Sequence, residues 1–160
     1  MNRSLRRVLP VVLLLALSSA AVAAGGPPGV PSGKDKCPVC GMFVAGYPNW
    51  LAVIEFRDGT RSWFDGPKDL VTCLLNLGTF APARKRADIV SIGVKDYYSL
   101  ALIDGEKAFY VLGSDVLGPM GKEMVPFGKR ADAEGFLKDH GGKTILRLRE
   151  ATQDTLRALR

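Results

Sequence analysis

Cys37 and Cys40 stand three residues apart in the stretch KCPVCGMFVAGYPNW, and Met42 follows two residues after the second thiol. Four chemistries use such a group: a disulfide, half of a zinc site, a redox couple or a soft-metal clamp. A disulfide closing so small a loop constrains little of the unfolded chain. A redox pair wants a helix N-terminus, whose dipole lowers a thiol pKa, yet Gly41 follows directly and a Tyr47-Pro48 turn comes soon after. A c-type haem needs histidine next to the second cysteine, and Gly41 is there. Structural zinc needs two more good ligands, and only Cys73 and His140 remain. Copper(I) needs fewer ligands and prefers thiolate and thioether sulfur, which Cys40 and Met42 both offer. Gly41 between them permits a sharp bend, and Pro38 stiffens the approach. A second thioether, Met120, lies between Pro119 and Gly121 in LGPMGKEM. This polar, Gly-rich setting suits a ligand as well as it suits an inward-packed gap filler. Met124, before VPF, suits strand packing.

Other chemistries find little support. The single histidine, His140, falls on an apolar helical stripe near a helix end, where an imidazolium is favoured by the dipole; a structural role outweighs a ligand role. The glycines of GSDVLGPMG do not have the spacing of a phosphate-binding turn. Sequence spacing pairs none of the carboxylates. Cys73, in LVTCLLNL, lies on an apolar helical face and serves as a small hydrophobe. The chain is therefore expected not to be an enzyme. The main alternative is an exported thiol-disulfide oxidoreductase cycling Cys37 and Cys40; a second is an organomercurial lyase-like enzyme using Cys73 and Asp65.

The elements that hold these residues follow from periodicity. LAVIEFRDGTRSWF (51–64) has two apolar runs about Asp58-Gly59, a tight-hairpin signal. Asp65 or Gly66, Pro67 and Gly78 suit a helix start, first turn and stop, with Leu70, Cys73, Leu74 and Leu77 on one face. ADIVSIGV (87–94) alternates as a strand. The order returns: SLALIDGEKAFYVLG (99–113) again has Asp-Gly between apolar runs. MVPF then leads into a helix with Ala133, Phe136, Leu137 and His140 on one face and Gly141 as its stop, and KTILRLRE (143–150) closes as a strand. The tail forms a short helix using Leu156 and Leu159. The expected fold is α+β, with two packed ββαβ units forming one compact protein. The units span 37–98, which carries CPVCGM, and 99–160.

Ahead of them, residues 1–24 have a basic start, an apolar run over Val8–Leu17 and small residues before Gly25, the layout of a cleavable signal peptide. Residues 25–36, GGPPGVPSGKDK, have the composition of a flexible linker. No cysteine lies at the cleavage region. The expectation is a soluble periplasmic chain without a lipid anchor, touching the membrane only through a partner. Half of the formal charge of +6 sits in the leader, and the cluster ARKRAD has no interleaved aromatics, so nucleic-acid binding is not expected.

CPVCGM, WFDGPKDL, DYYS, GSDVLGPMG, VPF and DHGG occur in this order, and together they resemble the NosL family, accessory proteins of nitrous oxide reductase. The resemblance extends over about 37–159. It implies a periplasmic copper(I) metallochaperone of denitrification that delivers copper for the copper centres of nitrous oxide reductase through a membrane ABC-transporter complex; the chain itself is expected to be a monomer. It implies paired ββαβ units similar to part of organomercurial lyase. Carried over by motif, Cys40 and Met42 are primary copper ligands, Met120 a partner, and Cys37 the less certain member of the set.

Overall fold

The computed structural model describes residues 29–160. The expected leader, and the linker as far as residue 28, lie outside the described residues. The rest of the linker is tied to the body at its end: Lys36 bridges Phe43, and Val44 N donates to Asp35 O at 3.1 Å.

The first sheet is built about β1 (Ala52–Phe56), which pairs antiparallel with β2 (Arg61–Phe64). Gly59 takes φ +80° in the intervening turn, a backbone state open to glycine. Helix α1 (Pro67–Leu75) starts with Pro67 in its first turn and buries Leu70, Val71 and Cys73. It ends at Asn76, and a short second turn of helix, α2 (Leu77–Phe80), contains the expected stop Gly78. Strand β3 (Ile89–Lys95) then pairs on the other side of β1. As a central strand β1 is buried except at Glu55, which is half-buried.

The second half departs from the expected repeat. Strands β4 (Leu102–Asp104) and β5 (Phe109–Leu112) both form, but not as a hairpin. β4 pairs with β3, giving the order β2-β1-β3-β4, while β5 is the centre of a three-stranded sheet. Gly105 N donates to Ile92 O, and a Cβ at Gly105 would collide with Ile92 Cγ2. This glycine serves a close backbone approach to β3 rather than a hairpin turn.

Strands β6 (Leu117–Gly118) and β7 (Gly121–Lys122) make a small hairpin whose tip is Pro119-Met120. β8 (Val125–Phe127) and β9 (Thr144–Leu146) flank β5, with helix α3 (Arg130–Asp139) between them in sequence and packed on that sheet. Gly141, φ +62°, follows the end of α3 as expected. The last expected strand is shorter than 143–150, because a 3-10 turn takes Leu148–Glu150. Helix α4 (Gln153–Ala158) is capped by Thr152 and buries Leu156, with Leu159 buried just beyond it.

Two apolar clusters result. The larger joins β1, β2 and β3 to α1 and the α4 segment; the smaller joins Val111, Val125 and Phe127 to Ala133 and Phe136. The α+β class expected from the sequence is the class of the structure.

Candidate metal centre

The 37–42 segment is a tight loop. Cys37 N donates to Met42 O and Gly41 N to Cys37 O, both at 2.9 Å, with Gly41 at φ +80°. The Lys36–Phe43 bridge closes it at the base. Backbone hydrogen bonds thus set the direction of the two thiols before any metal arrives.

The loop lies against the start of α1. Cys40 Sγ donates to Asp65 Oδ1 at 3.2 Å, and Cys37 Sγ to Asp69 Oδ2 at 3.3 Å. Asp65 and Asp69 sit four residues apart, and both are buried. Among the described residues, Asp65 Oδ2 is buried without a hydrogen-bond partner. One ligand atom from each of Cys37, Cys40, Asp65 and Asp69 lies within 4.8 Å of all the others. Sequence reasoning found the thiols and missed these two carboxylates as their partners. The available signal was the i, i+4 spacing of Asp65 and Asp69 across a helix start.

The electrostatics hold the thiols protonated. Burial pushes the Cys40 thiol up to about 12, and its hydrogen bonds to Asp69 and Asp65 add to the rise. The more deeply buried Cys37 is raised further, burial again leading. Asp69 is also raised, first by burial and then by the nearby Asp65 charge, against the lowering effect of the thiol donors. These thiols are poor nucleophiles as they stand.

α1 has no side-chain cap of its own; its N-terminus is held by Glu123 from the segment between β7 and β8. Glu123 Oε1 accepts from Lys68 N at 2.5 Å and Met124 N at 2.8 Å. This carboxylate is buried, and burial pushes it up to about 8. Lys68 Nζ in turn donates to Met120 O and Lys122 O, at 2.7 and 2.8 Å. The hairpin carrying Met120 is therefore pinned to the helix carrying Asp69. Met120 is 45% exposed and lines a groove with Val39, Asp69, Leu156 and Arg160. Met42 is half-buried, and Met124 is fully buried.

Two further expected positions resolve simply. Cys73 is buried in the larger core, and burial pushes its thiol up to about 11. His140 caps α3, stacks on Phe136 at 4.3 Å and pairs through Nδ1 with Asp115 at 2.9 Å.

The chain is 28% identical over 132 residues to a copper-binding lipoprotein NosL of Stutzerimonas stutzeri, covering 77% of this chain. It spans 65% of that relative's length. It superimposes with a TM-score of 0.67 on the crystal structure of the copper chaperone NosL from Shewanella denitrificans, at 25% identity, covering 80% of this chain and 97% of that one. The lipoprotein relative overturns the expectation of a periplasmic chain freed by cleavage and without a lipid anchor. That expectation rested on a missing cysteine within the leader, outside the described residues, and such an absence does not decide how a chain is attached. Among the described residues no helix is long and apolar enough to cross a membrane. Residues 30–156 match the NosL family model, so this chain belongs to the NosL family.

Proposed function

We propose that this protein is a copper(I) metallochaperone that supplies copper for maturation of the copper centres of nitrous oxide reductase. The observation that carries the reading is a preset thiol pair in a NosL-family chain, with thioethers on the same loop and on a hairpin pinned beside it. Cys40 and Met42 are the primary ligands, Met120 closes the site from the hairpin, and Cys37 is an auxiliary thiol.

Copper(I) is the cargo. On its arrival a thiol proton leaves to solvent and the thiolate takes the metal. Cys40 is half-buried and Met120 exposed, so the bound ion keeps an open side. A sulfur or imidazole ligand of the recipient joins there before the donor's ligand departs. A closed four-ligand site would hinder that exchange. The recipients in this reading are nitrous oxide reductase and its ABC-transporter complex.

Anaerobic competition against a chromophoric copper(I) chelator tests the site. One equivalent is expected for the wild type, and its loss in Cys40→Ser combined with Met42→Leu. Full binding by the double variant sinks the ligand assignment. Delivery is tested in a host that makes nitrous oxide reductase: deleting the chain lowers the copper content of the purified reductase, whereas unchanged content removes this target. A thiol-disulfide oxidoreductase is disfavoured, because burial and carboxylate contact hold both thiols protonated.

A further inference from the structure

We propose that the groove bounded by α1, α4 and the β6–β7 hairpin docks an extended acidic segment of the copper recipient, an inference that rests on the delivery reading above.

Three observations carry this. First, the groove begins beside the thiol loop. Val39, Asp69 and Met120 are among its walls, and it continues along α1 and α4, enclosing about 650 Å³. Met120 belongs both to this wall and to the proposed ligand set. A recipient group that reaches the open side of the ion therefore brings its own chain across the groove.

Second, the groove is preformed. Gln153 Nε2 donates to Asn76 Oδ1 at 3.0 Å and joins α4 to the end of α1. Lys68 joins α1 to the hairpin, and Lys122 Nζ reaches Arg160 O at 3.5 Å. Walls that are already fixed lose little freedom when a segment docks.

Third, its open binding capacity is apolar and cationic. Leu156 and Leu159 are buried at its floor, with Val39 and Phe80 half-buried beside them. Thr72 Oγ1 and Asn76 Nδ2 already donate to carbonyls of α1. Lys68, Lys122 and Arg160 line the groove, and among the described residues none is ion-paired with a side-chain carboxylate. The carboxylate on the wall, Asp69, accepts from the Cys37 thiol, and burial raises it. Such a surface lacks negative charge. A segment that carries apolar side chains together with Asp or Glu supplies it, the former over the floor and the latter at the cationic rim.

Photo-crosslinking in a host that makes nitrous oxide reductase tests the groove. A photoreactive amino acid is placed at Thr79, exposed within it, and separately at Val90, exposed on β3 outside it. The Thr79 probe is expected to capture one peptide rich in Asp or Glu from nitrous oxide reductase or its transporter complex, and the Val90 probe is not. Capture of the same peptide from both positions, of a second copy of this chain, of its own residues 1–28, or of nothing overturns the proposal without recourse to a charge variant. Lys122→Glu with Arg160→Glu is expected to cut capture from Thr79 about tenfold, while the chain still takes one equivalent of copper(I). Unchanged capture overturns the acidic occupant. Copper(I) competition on the wild type separates the two readings. A wild type that binds no copper(I) sinks the delivery reading and this inference with it. A wild type that binds copper(I) but shows no groove-specific capture sinks this inference alone.

Discussion

At the scale of the residue, the thiols are stored as acids. Each donates to a buried carboxylate, and Cys40 is pushed up to about 12 with burial as the leading cause. The free protein therefore holds the Cys40 proton across the whole physiological range, and any metal that takes the thiolate must release it. Copper(I) affinity should rise about tenfold per pH unit for each thiol engaged. Competition titrations at about pH 6, 7 and 8 measure this slope. A slope of one assigns a single thiol, a slope of two assigns both, and no pH dependence excludes a thiolate ligand. Cys37, Cys40 and Met42 were legible because soft ligands at short spacing are rare in a chain. Asp65 and Asp69 were not, because their contacts with the thiols close over 25 and 32 residues. Only the packed fold brings those stretches together.

At the scale of the element, one lysine positions the second methionine. Lys68 belongs to the first turn of α1, yet its ammonium binds the carbonyls of Met120, at the β6–β7 hairpin tip, and of Lys122, on β7. Lys68→Met keeps the alkyl stem and removes the tether. It is expected to lower copper(I) affinity several-fold with little change in stability, since these bonds are exposed. If the tether acts through Met120, Lys68→Met and Met120→Leu will not add. A double-mutant cycle on copper(I) affinity with additive losses would show that the hairpin does not serve the site. The same scale shows where local pattern is enough. Asp58-Gly59 was recognised as a hairpin turn, and Gly59 has the positive φ that such a turn requires. Asp104-Gly105 carries the same signal with a different outcome: Gly105 lies against Ile92, and Tyr110 Oη donates to Gly105 O at 2.7 Å. The dipeptide still turns, with Lys107 N donating to Asp104 O at 3.1 Å, but its flanking strands β4 and β5 join different sheets. A dipeptide cannot report which sheet its flanking strands will join.

At the scale of the whole molecule, two buried carboxylates join segments distant in sequence and tilt stability with pH in opposite senses. Asp96, just past β3, accepts from Tyr98 N and from Ser99 N and Oγ through Oδ1, and from Gly128 N at 2.6 Å through Oδ2. It thereby ties the end of the first sheet to the residue after β8. Burial alone would raise this carboxyl, but the Ser99, Gly128 and Tyr98 donors overcome it and hold it low. A lowered folded pKa contributes stability that is present above the unfolded value of about 3.9 and is lost as the pH falls through the folded one. Glu123, which joins the β7–β8 segment to α1, is raised to about 8, chiefly by burial. Below its unfolded pKa of about 4.3 it is neutral in both states and costs nothing. As the pH climbs from there to about 8, the unfolded chain ionises while the folded one resists, so stability falls by up to about 1.4 kcal/mol per pH unit. Glu123→Gln keeps an oxygen for Lys68 N and Met124 N and removes the titration. Its melting temperature should match the wild type near pH 4 and exceed it by a margin that widens toward about pH 8. Asp96→Asn should lose most at neutral pH and approach the wild type in acid. Thermal melts of the metal-free wild type and the two variants across this range decide both. Parallel curves for Glu123→Gln and the wild type would mean that Glu123 is ionised in the folded protein, with Lys68 and the α1 amides outweighing its burial.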